Sequence, residues 1–238
     1  MKGTLYLIPT PIDERNVLSP DAFALLENAC KNEADKSVFV VEDHRPGRRK
    51  WIRFGLPREF IDGFILYNEQ NYQDSCEQLI SHLLSGKNVY LMSDAGLPAF
   101  CDPGRLLVQR SHDRKIRVTA TSFGNSVILA LALSGFNHDQ FFFLGFPPRK
   151  TEERLNFLTN AAEHDCTSVM MDTPYRLNKL LSELASIENN LKLHREYFLA
   201  LDLNKESELL IRGSLAHLLR VLPPSLKSEF VLCCAANT

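Results

Sequence analysis

With 238 residues, 45% of them hydrophobic and 24% charged, the chain can fill one large core or two smaller ones without disulfide or metal staples. A formal net charge of −2 excludes a global pull toward polyanions, so any contact with nucleic acid has to come from a local basic patch. Six cysteines (Cys30, Cys76, Cys101, Cys166, Cys233 and Cys234) form no CxxC pair and no zinc-like spacing with histidine, which predicts buried thiols in a reducing compartment and no metal site. Met1-Lys2-Gly3-Thr4 runs straight into a strand pattern without a charged leader, and no apolar run approaches membrane-spanning length. The expectation is a soluble cytoplasmic protein.

The first half alternates short β-rich runs with helical patterns: strands at 4–8, 38–42, 63–67 and 89–93, helices at 20–32 and 72–85. Ser19-Pro20-Asp21 is a helix start, with a hydroxyl cap, proline in the first position and an acid in the first turn. Gly86 suits a left-handed stop after the helix at 72–85. Asp102 and Pro103 read as cap and first residue of the next helix. The pattern restarts at 117–120, followed by a small-residue helix at 125–134, strands at 141–144 and 168–172, helices at 152–163 and 176–186, and strands at 197–201, 208–212 and 229–234. This alternation predicts two α/β domains, 1–115 and 116–238, with the boundary around 114–118.

Three segments stand out chemically. Ser93-Asp94-Ala95-Gly96-Leu97-Pro98 follows the buried strand Val89-Tyr90-Leu91-Met92, where a small-residue loop lets a ligand approach the backbone at a strand's carboxyl end. The same glycine and proline also serve an ordinary tight turn. Glu42-Asp43-His44-Arg45 is followed by Arg48-Arg49-Lys50-Trp51-Ile52-Arg53, five cationic side chains in nine residues with an aromatic among them. That is a phosphate-and-base contact surface or a solvated charged loop. Asp172-Thr173-Pro174-Tyr175-Arg176 offers a ring for stacking and a guanidinium for a carboxylate or phosphate, or reads as a plain turn into a helix. No G-x-G-x-x-G or Walker motif is present, and Pro9-Thr10-Pro11 follows the first strand instead.

Taken in order, Leu5 to Ile12, Glu42-Asp43-His44-Arg45, the 93–98 loop with Asp102-Pro103-Gly104, and the 172–176 segment resemble the tetrapyrrole methylase superfamily of S-adenosylmethionine (SAM) dependent methyltransferases. Within it the likeness is to the ribosomal RNA small-subunit methyltransferase I branch, which modifies a ribose 2′-hydroxyl. The resemblance spans nearly the whole chain and implies two α/β domains with SAM in the cleft between them, a homodimer, and RNA as partner. It implies cofactor contacts from Ser93, Asp94, Ala95, Gly96 and Pro98, and from Asn125 and Ser126 at a helix N-terminus. Tyr175, Arg176 and Ala200 are implied as further cofactor contacts, the last in a segment resembling the family's Ala-x-Glu-Leu-Thr-Lys-x-x-Glu run with Asp202, Lys205 and Glu208.

For the acceptor, a neutral alcohol is a poor nucleophile toward a sulfonium and needs a base or strong polarisation. The candidates are Asp43 or His44, with Arg45 orienting the substrate, Asp102 in reserve, and Arg48, Arg49, Lys50 and Trp51 as the RNA-contact set. Two departures bear on the reading. The family's Pro-Gly-Pro-Ser-like turn is Thr121-Ser122-Phe123-Gly124-Asn125-Ser126 here, and its Gly-Asn-Leu after the first strand is replaced by Asp13-Glu14-Arg15-Asn16-Val17. They keep a non-catalytic SAM-binding protein open as a rival; a second rival, methylation of a tetrapyrrole or other small molecule, needs an open apolar acceptor trough, and Arg48 to Arg53 count mildly against it.

Overall fold

The computed structural model describes residues 1–13 and 15–236, and the chain divides into two compact units, Met1–Phe123 and Gly124–Thr238. In the first unit, strands β1 (Thr4–Ile8), β2 (Ser37–Val41), β3 (Ile65–Leu66), β4 (Asn88–Met92) and β5 (Arg117–Ala120) form a sheet in the order β3-β2-β4-β1-β5. Every pairing is parallel. A parallel sheet must be covered on both faces. Ile8, Phe39, Val41, Tyr90 and Met92 pack under α1 (Pro20–Asn32) and α2 (His44–Arg53), whereas Leu5, Val38, Val40, Val89 and Leu91 pack under α3 (Tyr72–Leu84) and α4 (Arg105–Asp113).

The boundary expected near 114–118 falls at 123/124, because β5 pairs with β1 and completes the first sheet. The stretch 44–53, which carries no helix in the sequence expectation, is helix α2. Asp43 caps it, its Oδ1 accepting from the Arg45 amide at 2.7 Å, and Pro46 sits in the first turn, where its missing N–H costs nothing. Gly47 rests on Val41, whose side chain a Cβ would meet at 2.8 Å, so glycine here lets the helix lie close against β2. The expected helix start at Asp102-Pro103 is corrected as well: α4 begins at Arg105 with Gly104 as N-cap. Ala99 and Cys101 in left-handed backbone and Gly104 at φ +142° keep residues 99–104 out of helical geometry. Ser19 precedes α1 but its hydroxyl makes no capping bond.

The second unit is a mixed sheet, β6 (Phe141–Gly145), β7 (Thr167–Met170), β10 (Phe230–Cys234), β8 (Tyr197–Leu201) and β9 (Leu209–Gly213) in that order, parallel only between β6 and β7. One face is covered by α6 (Thr151–Glu163), α7 (Leu177–Leu191) and α8 (Leu215–Val221) through Leu158, Leu180, Leu184 and Leu218; the other by α5 (Ser126–Ser134) through Val127, Ala130 and Leu131. Helices α2 and α8 lie outside the sequence expectation, and α7 runs five residues past it. All six cysteines are free, yet Cys101 is exposed and Cys166 half-buried, so the expectation of buried thiols holds for Cys30, Cys76, Cys233 and Cys234. Among the described residues no helix is long and apolar enough to cross a membrane.

Candidate active site

In the first unit the chain leaves β4 toward α4 on one face of the sheet, while its neighbours β1 and β2 leave toward α1 and α2 on the other. Connections that diverge in this way open a crevice at the strands' carboxyl ends, the usual place for a ligand on an open parallel sheet. The 93–98 loop sits at that point and is fastened to both neighbouring strand ends. On the β1 side Thr10 and Gly96 exchange backbone hydrogen bonds at 2.9 and 3.0 Å, and the Thr10 hydroxyl donates to the Ser93 carbonyl at 3.0 Å. On the β2 side the Asp94 amide donates to Glu42 Oε1 at 3.0 Å. The Ser93 hydroxyl closes the loop by donating to the Gly96 carbonyl at 2.7 Å. Gly96 has φ +85°, and open space lies where its Cβ would point, so a ligand can reach this backbone.

Beneath the loop lies a charged cluster that sequence reasoning only grazed. Burial, reinforced by the charges of Asp102 and Asp94, pushes the Glu42 carboxyl up to about 7 against the opposing pull of the Asp94 amide and the Lys50 ammonium. Burial and the Asp94 charge push Asp102 up to about 6, again opposed by Lys50. Lys50 itself is only 5% exposed. Glu42 had gone unselected because it closes an apolar strand run; that position, first beyond the last buried strand residue, is the signal that could have found it.

The structure splits the proposed RNA-contact set. Arg45, Arg48, Arg49 and Arg53 are exposed on α2. Lys50 and Trp51 are corrected: the lysine turns into the acidic cluster, and Trp51, 0% exposed, packs edge-on against Phe39 and Phe64 while its indole N–H donates to the Pro57 carbonyl at 2.7 Å. A helix leaning on its sheet must bury one stripe, and positions 47, 50, 51 and 54 form it. Asp43 and His44 are exposed in the first turn; Asp43 serves as the cap and His44 sets its ring edge-on near Phe64, 6.3 Å between centroids. Upstream of the 122–126 turn, Asp21 Oδ2 accepts from the Ser122 amide at 2.8 Å, and the Ser19 hydroxyl together with that amide holds the Asp21 carboxyl down to about 2.

In the second unit Asn125 caps α5, its Oδ1 accepting from the Val127 and Ile128 amides at 2.8 and 3.3 Å, with Ser126 opening the helix. Gly124 has open space where a Cβ would point. Tyr175 is 77% exposed in a 3₁₀ turn, with the Lys227 ammonium 5.1 Å from its ring centroid. Arg176 lies 3.9 Å from Asp172, whose carboxylate also accepts from the Thr173 amide at 2.8 Å. Behind that segment Arg154 of α6 contacts Asp172 at 2.7 Å off the hydrogen-bond axis and donates to Glu183 at 2.7 Å. Ala200 is corrected: it sits mid-strand in β8, paired to β10 and β9 on either side and fully buried beneath α5, with no side-chain surface for a cofactor. Lys205 bridges Asp202 at 3.3 Å and Glu229 at 2.7 Å, and Glu208 accepts from the Asn204 amide at 2.7 Å, which makes this segment a cross-linked turn.

Among known proteins, ribosomal RNA small subunit methyltransferase I of Xylella fastidiosa (strain Temecula1) is 32% identical over 91% of this chain and 74% of its own. The protein of the same name from Halalkalibacterium halodurans is 30% identical over 99% of this chain and 77% of its own. The chain belongs to the ribosomal RNA small subunit methyltransferase I family. No family model matches this methyltransferase. Its fold is that of solved tetrapyrrole methylase-type structures: a diphthine synthase (TM-score 0.67, 11% identity, 98% of this chain and 89% of the other) and the uroporphyrin III C-methyl transferase of Thermus thermophilus (TM-score 0.57, 16% identity, 98% and 97%). A further structure of the latter type holds S-adenosyl homocysteine.

The protein is a SAM-dependent methyltransferase of this family. The residues present fit a cationic sulfonium donor: open space lies beside the backbone at Gly96, and the carboxylates of Glu42, Asp94 and Asp102 would suit its charge.

Proposed function

We propose that this methyltransferase places a methyl group on a ribose 2′-hydroxyl of small-subunit ribosomal RNA. The observation that carries the reading is α2: its exposed face presents Arg45, Arg48, Arg49 and Arg53 for phosphates, and its first turn stands at the β2 end, one residue from the carboxylate that fastens the donor loop. The curated relatives, named for small-subunit ribosomal RNA, support the same acceptor. When bound, SAM supplies an activated methyl group. On this reading the 93–98 loop orients the donor, Arg45 orients the ribose, and Asp43 or His44 takes the hydroxyl proton. Phosphate contacts from Arg48 and Arg49 set the register of the RNA strand.

We further place the enzyme in the cytoplasm, where ribosomal subunits are modified, and as a homodimer. The two edge strands of the second sheet, β6 and β9, expose Phe142, Leu209 and Leu210, which supports pairing between copies. The deciding experiment transfers labelled methyl from SAM to small subunits isolated from cells lacking the protein, then maps the label by nuclease digestion. Label on a ribose oxygen is the expected result. Label on a base, or transfer only to a small-molecule acceptor, overturns the acceptor assignment, and SAM binding with no transfer to any acceptor favours a non-catalytic role.

A further inference from the structure

The two fasteners of the donor loop differ in kind. On the β1 side the Thr10–Gly96 bonds are backbone amide to carbonyl, with a hydroxyl beside them, and none of these groups titrates near neutrality. On the β2 side the loop hangs from one carboxylate oxygen of Glu42. That carboxylate faces the Asp94 carboxylate on its own loop, Asp102 from the turn before α4, and the Lys50 ammonium from α2. From the β3 side the Asn68 amide, Nδ2, donates to the Glu42 backbone carbonyl at 3.1 Å.

We propose that Glu42 is a positioning residue for the methyl donor: its ionised carboxylate draws the Asp94 amide down and sets the loop in its SAM-binding form. The inference rests on the reading of residues 93–98 as the donor loop. A hydrogen bond to an ionised acceptor is roughly twice as strong as one to a neutral acceptor, so protonating Glu42 loosens the tether without removing it. By linkage, if SAM selects the tightened loop, SAM also selects ionised Glu42 and draws its titration midpoint down. The ordinary position of that midpoint, near 7 in the free protein, places the effect in the physiological range.

Glu42→Gln keeps an oxygen acceptor for the Asp94 amide but cannot ionise, so it reproduces the protonated tether at every pH. SAM affinity of the wild type, Glu42→Gln and Gly96→Val is measured by calorimetry from pH 6 to 8.5. Comparing the variants at each pH cancels titration of the SAM amino group. The expected result is affinity about fivefold weaker in Glu42→Gln than in wild type at pH 8.5, narrowing to about 1.4-fold at pH 6. The neutral variant is also expected to melt higher than wild type at pH 8.5, since it no longer buries an ionised carboxylate; a residue needed only for structure loses stability and binding together. In the wild type, a carboxyl-carbon resonance titration of Glu42 is expected to show SAM lowering the midpoint by about 0.7 pH, the same fivefold seen through linkage.

Equal affinity of wild type and Glu42→Gln at all pH values, a constant ratio between them, or a midpoint that SAM does not move overturns the proposal. Gly96→Val separates the two levels of the argument. A side chain at φ +85° strains the loop itself. If Gly96→Val loses SAM while Glu42→Gln behaves as wild type, the loop reading stands and the Glu42 role falls; if Gly96→Val binds SAM normally, the donor-loop reading falls.

Discussion

Each unit buries a cluster of charges at the carboxyl end of a strand, and the two clusters are balanced in opposite senses. In the first, Glu42, Asp94 and Asp102 surround the single ammonium of Lys50, and two of the carboxyls are pushed to about 7 and 6. In the second, Asp172 and Glu183 share the buried Arg154 guanidinium, with Arg176 3.9 Å from one and Lys179 3.7 Å from the other. Burial alone would push the Arg154 proton off, but the hydrogen bond to Glu183 and the charges of Asp172 and Glu183 outweigh it, and the guanidinium is held above its ordinary range. A cluster in which every carboxylate has a cationic partner anchors α6 to the strand end; one with surplus acid holds groups that titrate near neutral pH, an arrangement found often at functional sites.

The widest gap between the clusters is expected from removing the cation of each. Arg154→Ala leaves Asp172 buried without its partner and should cost about 3–5 kcal/mol, read by denaturant unfolding. Because Arg154 sits behind Asp172-Thr173 and not in it, Arg154→Lys should recover part of that loss but not the paired geometry. Lys50→Met removes the ammonium that opposes the upward shift of Glu42 and Asp102 and should cost about 2–4 kcal/mol at pH 8. Most of that cost should vanish by pH 5, where the stranded carboxyls take up protons. Loss of equal size at both pH values in Lys50→Met would show that the lysine acts by packing.

A smaller effect follows from the raised carboxyls alone. A carboxyl whose folded-state midpoint lies above its unfolded one binds its proton more tightly in the native state. Its contribution is therefore complete below about pH 4 and lost as pH climbs through about 6 for Asp102 and about 7 for Glu42. Asp102→Asn should accordingly stabilise the protein at pH 8 by on the order of 1 kcal/mol, reduced from the full linkage value by solvent screening at a half-buried site, and should change nothing at pH 4. Unfolding curves at the two pH values check it.

The strands were legible because strands covered on both faces write themselves as apolar runs, and 4–8 in the parallel sheet and 197–201 between two antiparallel neighbours match the structure to the residue. Helix α2 was not, because Pro46-Gly47 reads as a turn and four arginines read as a solvated run; only the packing of Gly47 on Val41 and of Trp51 in the core turns the segment into a helix. The same tertiary contact explains the site. The loop at 93–98 stood out by its small residues, but that Glu42 fastens it depends on β2 lying beside β4, a neighbour 52 residues away that no local pattern encodes. Asp102 failed as a helix cap for a related reason: residues 99–104 take left-handed geometry at Ala99 and Cys101, which composition alone does not select.

Helix α2 also lets the contrast between buried and exposed charge be tested within one element, with the smallest effect on stability. Arg48 and Arg49 point to solvent while Lys50, next along the chain, is buried, so the three adjacent cations should separate cleanly by readout. Arg48→Ala and Arg49→Ala should leave the unfolding free energy within about 0.5 kcal/mol of wild type, as exposed substitutions do. Each should nonetheless weaken binding to a small-subunit RNA fragment and lower the dependence of log affinity on log salt by about 1, the signature of one lost phosphate contact. Lys50→Met should show the reverse, lost stability with the salt slope unchanged at any pH where it remains folded. A salt slope that falls equally for all three would mean that α2 meets the RNA through its net charge, and the division of its faces would then carry no meaning for recognition.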